Sequence, residues 1–170
     1  MHAGTALAPS GCGVGVVHDA PLVLDSVLER SRARESGFDC FREGPAHRVQ
    51  LWGRLPPAWA GNLALHAYSA QLHIATGDAA RAADGIWAAS FLLRAADPTS
   101  RVRYDFLRMA RRAPRVLPDL PEPDVSIGVA LSTTAPGEVY AHVEGRDSIG
   151  LLAVLLQRFA AFGLRPRRFT

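Results

Sequence analysis

VYAHVEGRDSIGLLAVLLQRFAAFG, residues 139–163, reads as a strand, a loop and a helix in succession. Val139, Ala141 and Val143 alternate with Tyr140, His142, Glu144 and Arg146, which is the period of a strand. Leu151, Leu152, Leu155, Leu156, Phe159 and Phe162 then build a broad apolar helix face, and Gly163 ends it. In the loop between them, Asp147 is placed to cap the helix. Gly150 lets backbone come close to a partner. Upstream, Val125, Ile127, Val129 and Leu131 alternate as well, and Pro136 and Gly137 make a turn. Strands at 124–131 and 138–145 are therefore expected as a hairpin. Downstream, residues 164–169 read as a short final strand.

The same plan occurs earlier in the chain. VQLWGRL (49–55) resembles AHVEGRD (141–147), and each precedes a helix. The earlier helix is expected over 58–76 and ends in QLHIATG (71–77), with Arg81 beyond. The later one is expected over 148–162 and ends in QRFAAFG (157–163), with Arg167 beyond. Residues 69–75 also alternate, so a strand competes with the helix there. Segments 48–54, 79–84 and 86–93 read as strands. Asp97 and Pro98 signal a helix over 98–113, with Val102, Phe106, Met109 and Ala113 facing a core. Arg101, Arg108, Arg112 and Arg115 fall on its other side. Nearer the N-terminus, the pattern gives a strand at 14–18, a helix at 21–35 stopped by Gly37, and a strand at 38–42.

VEGRDSIGLL (143–152) resembles the strand–loop–helix opening of ACT domains, and residues 139–164 follow that family pattern throughout. The spacing from Ile86 through the Arg-rich helix to Val125 is similar to the tandem ACT region of bacterial nitrogen-sensing uridylyltransferases. The resemblance covers residues 47–170, although nothing at Ala58 to Gly61 matches Asp147. It implies an α+β fold of two ferredoxin-like βαββαβ modules with antiparallel sheets, the first at 47–132 and the second at 133–170. The second module lacks a strand, a helix and a last strand. Residues 1–46 carry those three elements in that order. They are therefore expected to complete the second module, as a circular permutation within one chain or as a swap in a dimer.

The resemblance further implies a small-molecule-binding regulatory protein. It would bind an amino acid or similar carboxylate at a module or dimer interface, form a homodimer and act on a partner enzyme. The implied ligand residues are Arg146, Asp147, Ser148, Ile149, Gly150 and Leu151, with Trp52, Arg54, Gly61 and Asn62 from the earlier copy. The free N–H groups of such a loop and helix start suit a carboxylate. Arg54 or Arg146 would clamp it and Trp52 would stack on it. Arg48, Gln50, Trp52 and Arg54 share one side of their strand and are expected on an open sheet face. The alternative is an enzyme of bacterial secondary or amino-acid metabolism, with His66, His73, His142 and Glu144 in a pocket. His66 and His73 lie seven apart and would share a helix face.

Composition excludes much else. All nineteen basic residues among the 170 are Arg, and Asn62 is the single Asn. Without Lys there is no P-loop lysine and no Schiff base. Abundant Ala, Arg, Gly and Pro beside scarce Lys and Asn is the signature of GC-rich coding in bacteria. A net charge of +3 does not call for nucleic acid, and the Arg stripe reads as a solvated helix face. No apolar run reaches the ~18 residues of a membrane span, and the first residues do not resemble a signal peptide. A cytoplasmic protein is expected. Cys12 and Cys40 form no CxxC pair, so neither a metal nor a cofactor is expected.

Overall fold

The structure is a computed structural model and describes Val27, Glu29 and residues 36–169, apart from 98, 100, 101, 123, 132–138, 147 and 165–167. It is an α+β fold built on an antiparallel sheet. Strands β1 (Ser36–Glu43), β2 (Ala46–Gly53), β3 (Leu72–Arg81), β4 (Trp87–Ala95) and β7 (Arg168–Phe169) form it in the order β1-β2-β4-β3-β7. Strands β5 (Val125–Leu131) and β6 (Val139–Gly145) form a separate two-stranded sheet. The helices are α1 (Trp59–Ser69), α2 (Phe106–Arg111) and α3 (Leu151–Ala161). Among the described residues, no helix is long and apolar enough to cross a membrane.

The hairpin at 124–131 and 138–145 forms as expected, with Ile127 opposite Val143. Other pairings differ from expectation. The strand read at 38–42 does not join the later elements: β1 pairs with β2 along its whole length, from Ser36 opposite Gly53 to Glu43 opposite Ala46. The cause is local. Gly44, at φ 59°, and Pro45 close a two-residue turn that returns the chain directly onto its neighbour. Strand β5, assigned to the first sheet, pairs only with β6. The strand read at 14–18 lies outside the described residues. Of the helix read at 21–35, Val27 and Glu29 are described and helical.

The helix expected over 58–76 ends at Ser69, because Gln71 takes the left-handed conformation at φ 55° and its N–H bonds the Tyr68 carbonyl. From Leu72 the chain is strand, so the competing alternation was the correct one. Gly77, read as the helix stop, lies within β3 opposite Phe91. A Cβ there would come within 2.6 Å of the Phe91 ring. The helix expected over 98–113 shrinks to Phe106–Arg111. Asp97 accepts from Thr99 N at 2.9 Å in a turn instead, and Asp105 caps the helix by accepting from Arg108 N at 2.9 Å. Ala113 is consequently exposed rather than in the core.

Helices α1, α2 and α3 sit on one side of the sheet. The core between them holds Val49, Leu51, Trp59, Leu63, Phe91, Leu93, Phe106, Met109 and Leu156. Gly61 lies on α1 facing Leu156 of α3, where a Cβ would make an ordinary contact at 3.9 Å. The opposite sheet face is not open as expected. Gln50 is 5% and Trp52 1% exposed, and Trp52 packs with Ala88 and the fully buried Val27. An apolar side chain from far upstream therefore covers part of the face that alternation alone assigns to solvent.

Candidate functional site

A small cleft lies where the end of α1 and the start of β3 meet the loop ahead of α3. It is lined by Ala64, Tyr68, Leu72, His73, Ile74, Ser148, Gly150, Leu151, Leu152, Ala153 and Leu155, and its volume is about 130 Å³. That is well below the ~300–1,000 Å³ of a site for a drug-sized ligand.

Two features of the chain build this cleft. Gly150 caps α3 with φ 94°, a conformation that side-chain-bearing residues rarely adopt. A Cβ on it would lie 2.7 Å from Tyr68 Cδ2, so the Tyr68 ring occupies the space that glycine leaves. The Tyr68 hydroxyl donates to the Asp119 carbonyl at 3.0 Å, which fixes the ring at both ends. Gly150 at the cap position brings no side-chain cap to α3. Leu151 N bonds the Ser148 carbonyl at 3.1 Å and Val154 N the Gly150 carbonyl at 3.0 Å. The first-turn amides of Leu152 and Ala153 lie beside the cleft at the positive end of the helix dipole. Tyr68, His73 and Ser148 supply the polar side chains of an otherwise apolar wall.

Of the residues singled out in the sequence, this cleft unites Ser148, Gly150, Leu151 and His73. Ile149 is half-buried in the turn beside them, and Asp147 lies outside the described residues. The cap position belongs to Gly150, three residues beyond Asp147. Arg146 is exposed, and its backbone N–H bonds the Asp124 carbonyl at 3.3 Å. Arg54 is exposed just past β2. Trp52 is buried on the far sheet face and cannot stack on a ligand in the cleft. Gly61 serves helix packing. Asn62 donates to the Ala110 carbonyl at 3.2 Å and ties α1 to α2. Asn62→Ala is expected to cost about 1 kcal/mol and to leave ligand binding unchanged, as thermal denaturation with and without ligand would show.

The histidines do not converge. His66 Nε2 bonds the Arg112 carbonyl at 3.0 Å, while His73 stands on β3 opposite Arg94. They share no helix face because the helix ends between them. His142 Nε2 and Glu144 Oε1 lie 3.1 Å apart on β6, both largely exposed. Among the described residues there is no group of three or more His, Cys, Asp or Glu able to hold a metal. Tyr68, Ala64 and Leu72 were missed by sequence reasoning. The signal available was Gly150 itself, since a loop glycine that permits close approach implies a bulky neighbour.

The fold and cleft together define an α+β domain with a small, mostly apolar cleft at a helix start. No family model, curated protein or solved structure matches the chain.

Proposed function

We propose that this chain is a small-molecule-binding regulatory protein of the ACT type, which takes a small amino acid or similar carboxylate in the cleft. The supporting observation is the convergence of Ser148, Gly150 and Leu151 with His73 and Tyr68 around a volume of about 130 Å³. The ligand's carboxylate meets the first-turn amides of α3, and its short apolar body lies against Leu72, Leu152 and Leu155. Because the cleft joins α1–β3 to the loop before α3, an occupied site holds the two halves of the chain together. That coupling is the physical basis for regulation of a partner enzyme.

The finer architecture belongs to the same reading. The order β1-β2-β4-β3, with α1 after β2 and α2 after β4, is the ferredoxin-like order with one edge strand supplied from the N-terminal side. In this reading the separate β5–β6 sheet belongs to a second such module, while β7 extends the first sheet beyond β3 and α3 packs into its core. A homodimer in which copies complete each other accounts for the remainder, and a cytoplasmic setting fits the free thiol of Cys40.

A thermal-shift screen against the amino acids tests the ligand. A small apolar amino acid at a hundredfold excess over its Kd is expected to add about 2.7 kcal/mol of stability. His73→Ala is expected to weaken that shift. The absence of a shift with every amino acid would overturn the reading.

A further inference from the structure

The sheet face turned away from the helices carries a row of polar residues in cross-strand register. Asp39 opposes Gln50, Gln50 opposes Ser90, and Ser90 opposes Asp78. The neighbouring row is Gly37, Trp52, Ala88 and Ala80, and its Trp52 and Ala88 pack with Val27. The row on the other side is Phe41, Arg48, Leu92 and Thr76, of which Phe41 and Thr76 are exposed. The polar row thus runs along the boundary between the covered and the open part of this face.

Its members are not surface groups. Gln50 is 5% and Ser90 4% exposed, and Asp78 is half-buried. The cation beside them is already engaged: Arg48 holds Glu43 through Nε at 2.5 Å and Nη2 at 3.1 Å, and reaches Ser90 Oγ through Nη1 at 3.5 Å. The guanidinium keeps the Glu43 carboxyl below its usual range. Asp78 Oδ1, by contrast, is buried with no hydrogen-bond partner, and so is Trp52 Nε1 in the next row. A buried acceptor left unpaired is costly, and Asp78 Oδ1 lacks the donor that would satisfy it.

We propose that Asp78 and Ser90 form the floor of a second binding site, distinct from the cleft, which takes a primary ammonium group. A carboxylate oxygen and a serine oxygen on adjacent strands stand ~5 Å apart at their Cβ atoms, so one small donor group reaches both. An ammonium is compact, carries three donors and can supply the hydrogen bond that Asp78 Oδ1 lacks. The planar fork of a guanidinium is a poorer fit, because Arg48 already fills the adjoining space. The exposed edge at Thr76 is the way in, and the ligand's tail follows it outwards over Leu92.

Titration with butylammonium chloride, at ionic strength held constant with sodium chloride, tests this. Thermal denaturation of the full chain is expected to shift upward by about 5 °C at a hundredfold excess over Kd. Asp78→Asn keeps the shape of the side chain and is expected to weaken binding at least tenfold. Ser90→Ala is expected to weaken it severalfold, and Glu122→Gln, on an exposed connection, not at all. Should Asp78→Asn not fold cooperatively, Ser90→Ala carries the test. The proposal is overturned if butylammonium gives no shift at tens of millimolar, if sodium chloride alone gives the same one, or if the site variants bind as well as the parent. Because probe and residues differ from those of the cleft, failure here leaves the carboxylate reading standing.

Discussion

Trp59→Ala is expected to lower stability by about 3–5 kcal/mol. Trp59 is the first residue of α1 and only 1% exposed. Its ring meets Trp87 at 5.3 Å and Phe91 at 6.1 Å between centroids, both edge to face. Trp87 and Phe91 belong to β4, the middle strand of the five-stranded sheet. The side chain therefore anchors α1 to the centre of the sheet, and each aromatic pair adds about 0.5–1.5 kcal/mol beyond its area. Ala would leave a cavity flanked by the Trp87 and Phe91 rings, which cannot collapse without moving β4. A domain of this kind has about 5–15 kcal/mol in total, so roughly a fifth or more of its stability would go. At roughly 2–4 °C per kcal/mol for a chain of this length, Tm is expected to fall by about 10 °C. Calorimetry checks this. A loss below about 1 kcal/mol would mean that Trp59 does not sit between helix and sheet.

The strands were the legible part of the sequence because one face of each meets the helices. Val49 and Leu51 alternate with Gln50 and Trp52 in the sequence, and the structure places them on opposite faces. The apolar positions of α3 were legible for the same reason. Alternation does not say what lies beyond the other face, and there Val27, some 25 residues upstream, buries Trp52. The end of α1 was illegible because its stop is Gln71, a residue with no preference for the left-handed conformation, while Gly77 six residues on looked like the natural stop. The partner of β1 was in fact readable. Gly44 and Pro45 between two strand-like segments signal a tight hairpin, and consecutive strands usually pair. Counting elements to complete a module outweighed that local signal. At the cleft, Ser148, Gly150 and Leu151 follow from the loop pattern. Tyr68 and Leu72 arrive only through the packing of α1 against α3, which no local pattern encodes.

Gly150→Ala is expected to cost about 2–3 kcal/mol and to abolish ligand binding in the cleft. Two independent terms contribute. At φ 94° an alanine Cβ is strained by about 1 kcal/mol or more relative to glycine. The same Cβ would stand 2.7 Å from Cδ2 and 2.9 Å from Cε2 of Tyr68, far inside contact distance. The ring cannot swing aside cheaply, because its hydroxyl is held by the Asp119 carbonyl at 3.0 Å. Overpacking of that kind costs about 1–3 kcal/mol. Something must move, and the first turn of α3, which carries Gly150 at its cap, is the element that the new Cβ pushes directly. Its displacement takes the amides of Leu152 and Ala153 away from the cleft. A double-mutant cycle separates the terms. In a Tyr68→Ala background the clash is gone, so Gly150→Ala should then cost only the backbone part, about 1 kcal/mol, in chemical denaturation. An undiminished cost in that background would show that the Tyr68 ring does not pack on Gly150. The cleft, whose walls these two residues join, would then not exist in solution as described.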